Sequence, residues 1–241
     1  MILALDCSTL TLSLALLRRD GTVISHREVP PPTRQSEALP GEIDAIVRAA
    51  GFTLQELTGF VVGLGPGSFT GLRIGLATAK GLAYALAKPI AGASSLAALA
   101  LEGPEHTELI STAVVKKGEL YVGRYRREGQ GVVALEPEVS LTVAQLAELL
   151  KSKPDARMIG PGLVDYRAPL EADGVAPASF LPGPLVPSAV ALARLATVPA
   201  SFDPNALFAL EPHYLRGSGA EENPKFPPLP GVEPKARLKE D

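Results

Sequence analysis

The stretch Gly-Leu-Gly-Pro-Gly-Ser-Phe-Thr-Gly-Leu-Arg-Ile-Gly-Leu-Ala-Thr-Ala-Lys-Gly-Leu-Ala, residues 63–83, narrows the possible folds of this chain more than any other. It follows an apolar run, so the pattern predicts a buried strand at 60–64, a glycine-rich turn and a helix to about residue 86. Glycine in a helix interior costs ~0.8–1 kcal/mol against alanine, so Gly75 and Gly81 together cost about 2 kcal/mol. Close approach of another backbone is the physical use that offsets such a cost. Gly71, Gly75 and Ala79 share one face of this helix, and Ala77, Gly81 and Ala85 line another. One small face can pack on the chain's own sheet, and a second invites a partner helix. Packing of both within the chain is the plainer alternative.

A glycine-rich strand-to-helix turn is also a place for an anion, because helix N-terminal amides point outward there. Gly65, Gly67, Ser68 and Thr70 stand in that position, yet no specific template is met. The dinucleotide pattern needs a glycine where Ser68 stands, and the P-loop needs a lysine well before Lys80. The hydrolase elbow needs glycines where Pro66 and Thr70 flank Ser68. A second candidate is Asp6-Cys7-Ser8-Thr9 at the tip of the first strand, where Asp6 could position a cation and Ser8 and Thr9 could face a phosphate. Its permissive glycine is missing, and the alternative is that Asp6 and Ser8 satisfy a strand-end turn.

Elsewhere the pattern predicts strands at 2–5, 11–16 and 22–24, then a helix over 36–50 capped by Ser36, with Leu39, Ile43, Ile46 and Val47 as its apolar stripe. A short strand at 89–92 and a helix at 94–101 complete a βββαβα order. Beyond residue 103 the pattern predicts a hairpin of 110–115 with 120–126, a strand at 132–135, a helix at 142–150, a strand stub at 158–159 and a helix at 187–196. This divides the chain into lobes 1–103 and 104–217 and a loosely ordered Pro-, Glu- and Lys-rich tail, 218–241. No internal repeat is evident.

Composition excludes several classes. The formal charge is −3, and basic residues occur only in short runs, which argues against tight unaided binding of a polyanion. The single cysteine, Cys7, forbids an intrachain disulfide and reads as a small buried hydrophobe. His26, His106 and His213 fall in unrelated elements, so no metal spacing exists and no nucleophile has a base. Neither a secretion signal nor an apolar run of ~18 residues is present, so a cytoplasmic chain without membrane contact is expected.

Three segments together resemble the TsaB family, also called YeaZ: residues 2–9, the 63–83 stretch and Glu-Pro-His-Tyr-Leu-Arg at 211–216. The resemblance extends over essentially the whole chain to Arg216. It implies an α/β actin-like ATPase (ASKHA) fold of two ribonuclease-H-like lobes, each with a mixed sheet flanked by helices. It further implies a role in threonylcarbamoyladenosine modification of tRNA as the non-catalytic partner of TsaD, with the ATPase TsaE joining the pair. In that reading metal and ATP or ADP belong to TsaD and TsaE, no cofactor is held by this chain alone, and tRNA is met only through the complex. A homodimer stays open for the isolated chain. TsaD carries metal-ligating histidines on its first long helix, whereas residues 33–40 here contain none. The resemblance also implies an Asp-Ala-Arg-like triplet before the hairpin glycine in many family members, where this chain has Val114-Val115-Lys116-Lys117-Gly118. The partner face expected from the small-residue stripe comprises Gly71, Gly75 and Ala79, with Leu39 and Ile43 beside them, and the loop reads as a degenerate phosphate turn. The competing readings are an ATP-handling enzyme of the same fold, or a peptidase.

Overall fold

The computed structural model describes residues 1–31 and 34–215; the tail expected at 218–241 lies outside the described residues. Three strands open the chain, β1 (Ile2–Asp6), β2 (Leu12–Leu17) and β3 (Val23–Val29), and β1 is buried along its whole length. β4 (Gly59–Gly63) and β5 (Ile90–Ala93) pair parallel to them, giving the sheet order β3-β2-β1-β4-β5. Alternation along β1 sorts its side chains. Leu3 and Leu5 face the helices α1 (Gln35–Ala49) and α2 (Phe69–Ala85), while Ile2 and Ala4 face α3 (Ser95–Leu101) and α6 (Ala189–Leu195). The first face is large and leucine-rich. On the second face Ala4 and Ala15 leave room for Ala189 and Ala191.

The second sheet repeats the plan. β6 (Glu108–Lys116) pairs antiparallel with β7 (Glu119–Glu128), β7 with β8 (Gly131–Ala134), and β10 (Arg157–Ile159) returns parallel to β6. Both sheets are thus an antiparallel three-strand meander followed by a crossover to a strand parallel with the first. A duplication absent from the sequence as a repeat is therefore present in the topology. β7 is long enough to pair with β8 through Tyr125–Glu128 and with β9 (Val139–Thr142) through Glu119–Val122. Helices α4 (Val143–Ser152) and α5 (Gly162–Ala172) cover the outer face through Leu146, Leu150, Leu163 and Leu170. Between the sheets lies α3, whose Leu96, Leu99 and Ala100 pack on Leu109, Tyr121 and Tyr125 of the second sheet.

Three elements were not legible in the sequence: β9, α5 and α7 (Pro204–Ala209). Each is short or interrupted, and α5 holds Pro169 inside it. Ser36 is not the cap of α1; that position belongs to Arg34, which makes no side-chain cap bond. Among the described residues no helix is long and apolar enough to cross a membrane.

The expected partner face is overturned. Leu39, Ile43 and Ala79 are fully enclosed by the first lobe. A Cβ on Gly71 would lie 2.1 Å from the Cys7 carbonyl oxygen, and one on Gly75 would lie 3.0 Å from Cys7 Sγ and 3.3 Å from Leu5 Cδ1. The Gly71-Gly75-Ala79 stripe therefore brings α2 onto the end of β1 inside this chain. A Cβ on Gly81 would meet nothing within 4 Å, and Ala77, Gly81 and Ala85 lie on the exposed side of α2.

These environments predict opposite outcomes for one substitution. Gly81→Ala should stabilise the chain by ~0.8–1 kcal/mol, raising the melting temperature by about 2–4 °C. Gly71→Ala should destabilise it by at least about 2 kcal/mol, because a backbone carbonyl cannot yield to the new methyl. Thermal melts of the two variants beside the parent check both signs.

Candidate functional site

Four glycines spaced four residues apart, Gly63, Gly67, Gly71 and Gly75, close on the segment Asp6-Cys7-Ser8. A Cβ on Gly63 would sit 2.0 Å from Asp6 Oδ2, and one on Gly67 would sit 2.3 Å from the Ser8 carbonyl oxygen. The Ser68 amide donates to that same carbonyl at 2.7 Å, while Ser68 Oγ caps α2 by accepting from Gly71 N at 3.2 Å. The two turns that a nucleotide's phosphates would have to separate are packed against each other.

Asp6 is completely buried, and its carboxylate is committed. Oδ1 accepts from Ser8 N at 2.8 Å and from Ser8 Oγ at 2.6 Å; Oδ2 accepts from Ser95 Oγ at 2.6 Å. Ser95 Oγ in turn accepts from Gly65 N at 3.2 Å, so the carboxylate joins β1, the glycine loop and α3. Burial raises the Asp6 pKa above the ordinary carboxylate range, against the lowering effect of these donors. Burial and the neighbouring Asp6 also push the Cys7 thiol upward, which leaves it an inert packing group. The structure therefore gathers all seven residues of the expected phosphate turn at one place. Asp6 and Gly65 stand behind the surface, whereas Ser8, Thr9, Gly67, Ser68 and Thr70 line a cleft.

That cleft, of about 1090 Å³, lies between the two sheets. Its opposite wall is Ala113, Val114, Val115 and Lys116 of β6, with Pro161 just before α5 and Val164 and Asp165 on it. Lys116 is paired with Glu119 at 3.1 Å. Val114 and Val115 supply no charge where a cation or phosphate would need one. Pro161 belongs to Gly160-Pro161-Gly162, which follows β10 as Gly65-Pro66-Gly67 follows β4. Each triplet opens on a left-handed glycine, with φ of 108° at Gly160 and 90° at Gly65. The repeated triplet was the one sequence signal of the duplication. Among the described residues no group of three or more His, Cys, Asp and Glu side chains could hold a metal.

A strap at 211–215 closes one end of the cleft. The His213 amide donates to the Leu64 carbonyl at 2.8 Å, and the Tyr214 ring lies 5.2 Å from that of Phe69. Arg73 stacks over Phe69 with its Cζ 3.9 Å from the ring centre, and its Nε donates to Tyr214 Oη at 3.0 Å. His213 Nδ1 lies 2.9 Å from Oε2 of half-buried Glu138, whose other oxygen accepts from Ser94 Oγ and Tyr125 Oη. Burial and the Glu138 charge push the Tyr125 phenol pKa upward, so this hydroxyl stays protonated and donating. Glu138 was missed in the sequence, since Leu-Glu-Pro-Glu reads as a solvated loop.

The segment 31–182 matches the protein family described as TsaD, tRNA N6-adenosine threonylcarbamoyltransferase. Bacillus subtilis "tRNA threonylcarbamoyladenosine biosynthesis protein TsaB" is 35% identical over 153 residues, 63% of this chain and 66% of that protein. The chain belongs to the TsaB/YeaZ family. The protein of the same name from Escherichia coli is 34% identical over 148 residues, 57% of this chain and 63% of that one. The matches thus span just under two thirds of these two relatives. A Pseudomonas aeruginosa crystal structure, described as uncharacterized with similarity to peptidase YEAZ, superposes with a TM-score of 0.72 at 26% identity. It covers 89% of this chain and 99% of that one. The actin-like α/β fold expected of the family, with two mixed sheets flanked by helices, is the fold observed.

The locked carboxylate predicts a specific response. Asp6→Ala leaves Ser8 N, Ser8 Oγ and Ser95 Oγ short of a partner, at about 1–3 kcal/mol for each buried group, so it should destabilise the chain by several kcal/mol. Asp6→Asn keeps an acceptor for Ser8 and should cost on the order of 1 kcal/mol. A raised folded pKa contributes stability that is fully present below the unfolded pKa and lost as pH rises through the folded value. Relative to Asp6→Asn, the parent should therefore gain stability as pH falls from about 7 toward about 4. Urea unfolding across that range tests both the order and the slope.

Proposed function

We propose that this chain is a non-catalytic subunit that supports a TsaD-type threonylcarbamoyltransferase in modifying tRNA adenosine. The observation that carries this reading is Asp6. In an ATP-handling enzyme of this fold the strand-end carboxylate has to reach a cation, whereas here Ser8 and Ser95 hold it behind the cleft wall. The peptidase reading needs paired metal ligands or a nucleophile with its base, and Cys7 and the three histidines do not assemble either. In this reading metal and adenine nucleotide are held by TsaD and TsaE, tRNA is met through the complex, and the complex is cytoplasmic.

The partner surface belongs on the outer side of α2. There Ala77, Gly81 and Ala85 form a side-chain-poor stripe flanked by Tyr84 and Phe208, both more than half exposed, whose rings lie 5.8 Å apart. A small-residue stripe beside exposed aromatics admits a second helix at close range and offers it apolar anchors. TsaD is the occupant this reading commits to, with a second copy of this chain in its absence.

Gly81→Arg tests this without threatening the fold, because a side chain there meets open space. The variant should melt like the parent yet fail to co-elute with TsaD in gel filtration, and threonylcarbamoylation by the reconstituted system should fall at least about tenfold. Normal co-elution of a folded Gly81→Arg chain would remove this surface from the account. ATP turnover by the isolated chain that disappears in Asp6→Asn would overturn the non-catalytic reading itself.

A further inference from the structure

Of the sequence motifs, Glu-Pro-His-Tyr-Leu at 211–215 is the one that the subunit role does not use, and it passes from one lobe to the other. Its hold on the first lobe is mainly through α2 and the end of β4. The His213 amide donates to the Leu64 carbonyl at 2.8 Å, and the Tyr214 ring lies 5.2 Å from that of Phe69. Arg73 Nε adds a bond to Tyr214 Oη at 3.0 Å. On the other side Leu215 packs on the apolar cluster between the sheets. The directed contact with the second lobe is a single one, from His213 Nδ1 to Glu138 Oε2 in the turn between β8 and β9, at 2.9 Å.

Glu138 is itself a junction. Its Oε1 accepts from Ser94 Oγ at the start of α3 and from Tyr125 Oη on β7, so it touches both lobes. Its Oε2 is shut off from solvent, and no other group among the described residues donates to it. The imidazole that answers it is 48% exposed, so the partner of a buried acceptor sits on a detachable strap. A buried acceptor without a donor is costly. Water can take the place of His213 only where the lobes move apart to admit it. The intact contact therefore favours one separation of the lobes, and its loss favours a wider one.

We propose that the His213–Glu138 contact is a clasp that sets the separation of the two lobes, and with it the width of the cleft that His213 and Tyr214 line. The pivot is α3, packed on the first sheet through Ala98 and Leu101 and on the second through Leu96 and Leu99. Anything that widens the cleft has to draw His213 away from Glu138, and anything that seats the strap narrows it. The clasp is internal to this chain and stands independently of the assignment to a TsaD complex.

The test is an interlobe distance measured by pulsed electron spin resonance. Spin labels go on Ala45→Cys of α1 and Ala144→Cys of α4, both exposed. Cys7 is buried and its thiol pKa is pushed upward, so it takes no label. His213→Phe keeps a ring on the strap but removes the donor, and should lengthen the mean distance by more than about 2 Å. His213→Asn offers an amide N–H in place of Nδ1 and should return the distance to that of the parent. Tyr214→Ala frees the same strap from Phe69 and Arg73 and should shift the distance as His213→Phe does. His213 and Tyr214 are both exposed positions, so the lobes fold in all three variants. A parent-like distance in His213→Phe or in Tyr214→Ala overturns the clasp, as does His213→Asn opening as far as His213→Phe.

Discussion

Four glycines gripping three residues hold the first lobe together. Gly63, Gly67 and Gly71 each stand where a methyl group would collide with Asp6, Ser8 or Cys7, and one on Gly75 would press tightly on Cys7. The grip places β4, the loop after it and the first two turns of α2 directly on the end of β1. The Asp6 carboxylate then ties in α3 through Ser95. Because α3 also packs on the second sheet, the position of one lobe against the other depends on this junction. The fully buried Asp6 carboxyl is tolerated there because Ser8 N, Ser8 Oγ and Ser95 Oγ satisfy its oxygens.

The same junction decides what the cleft can do. A phosphate site at crossed strand ends needs open backbone amides and a carboxylate free to face a cation. Here the turns are in contact, and the Ser8 and Ser68 amides are spent on Asp6 and on the Ser8 carbonyl. What faces the cleft is a row of hydroxyls opposite Val114 and Val115. Such a surface suits an apolar or peptidic occupant better than a polyanion. The duplicated topology gives two glycine-proline-glycine turns at the cleft, which Gly67 of the first and Pro161 of the second line.

Much of this was legible in the residues. Strict alternation and apolar runs located β1, β2, β4 and the β6–β7 hairpin, and the 63–83 stretch announced a close approach. The misplacement was one of direction. A small stripe at Gly71, Gly75 and Ala79 looks the same in sequence whether it meets a neighbouring molecule or the chain's own β1. Only the register of α2 against Cys7 separates the two. Spacing held the missing clue: glycines at 63, 67, 71 and 75 continue the stripe back into the strand, and a partner helix has no reason to follow it there. The 211–216 segment stood out as a motif, but its contact with Glu138, and Glu138 itself, were not legible because the partners lie 75 and 44 residues distant, at His213 and Ser94. Strands as short as β9 and a helix interrupted by Pro169 carry too few periods to be told from loop.

Packed as described, the glycine junction leaves no room for a phosphate between residues 6–9 and 63–71. Backbone amide chemical shifts of residues 6–9 and 63–71, recorded by NMR during titration with ATP and magnesium, address it directly. The account predicts that these amides stay in place up to millimolar nucleotide. Saturable shifts confined to Ser8, Gly67 and Ser68 would show that the junction opens to take a phosphate, and would contradict it.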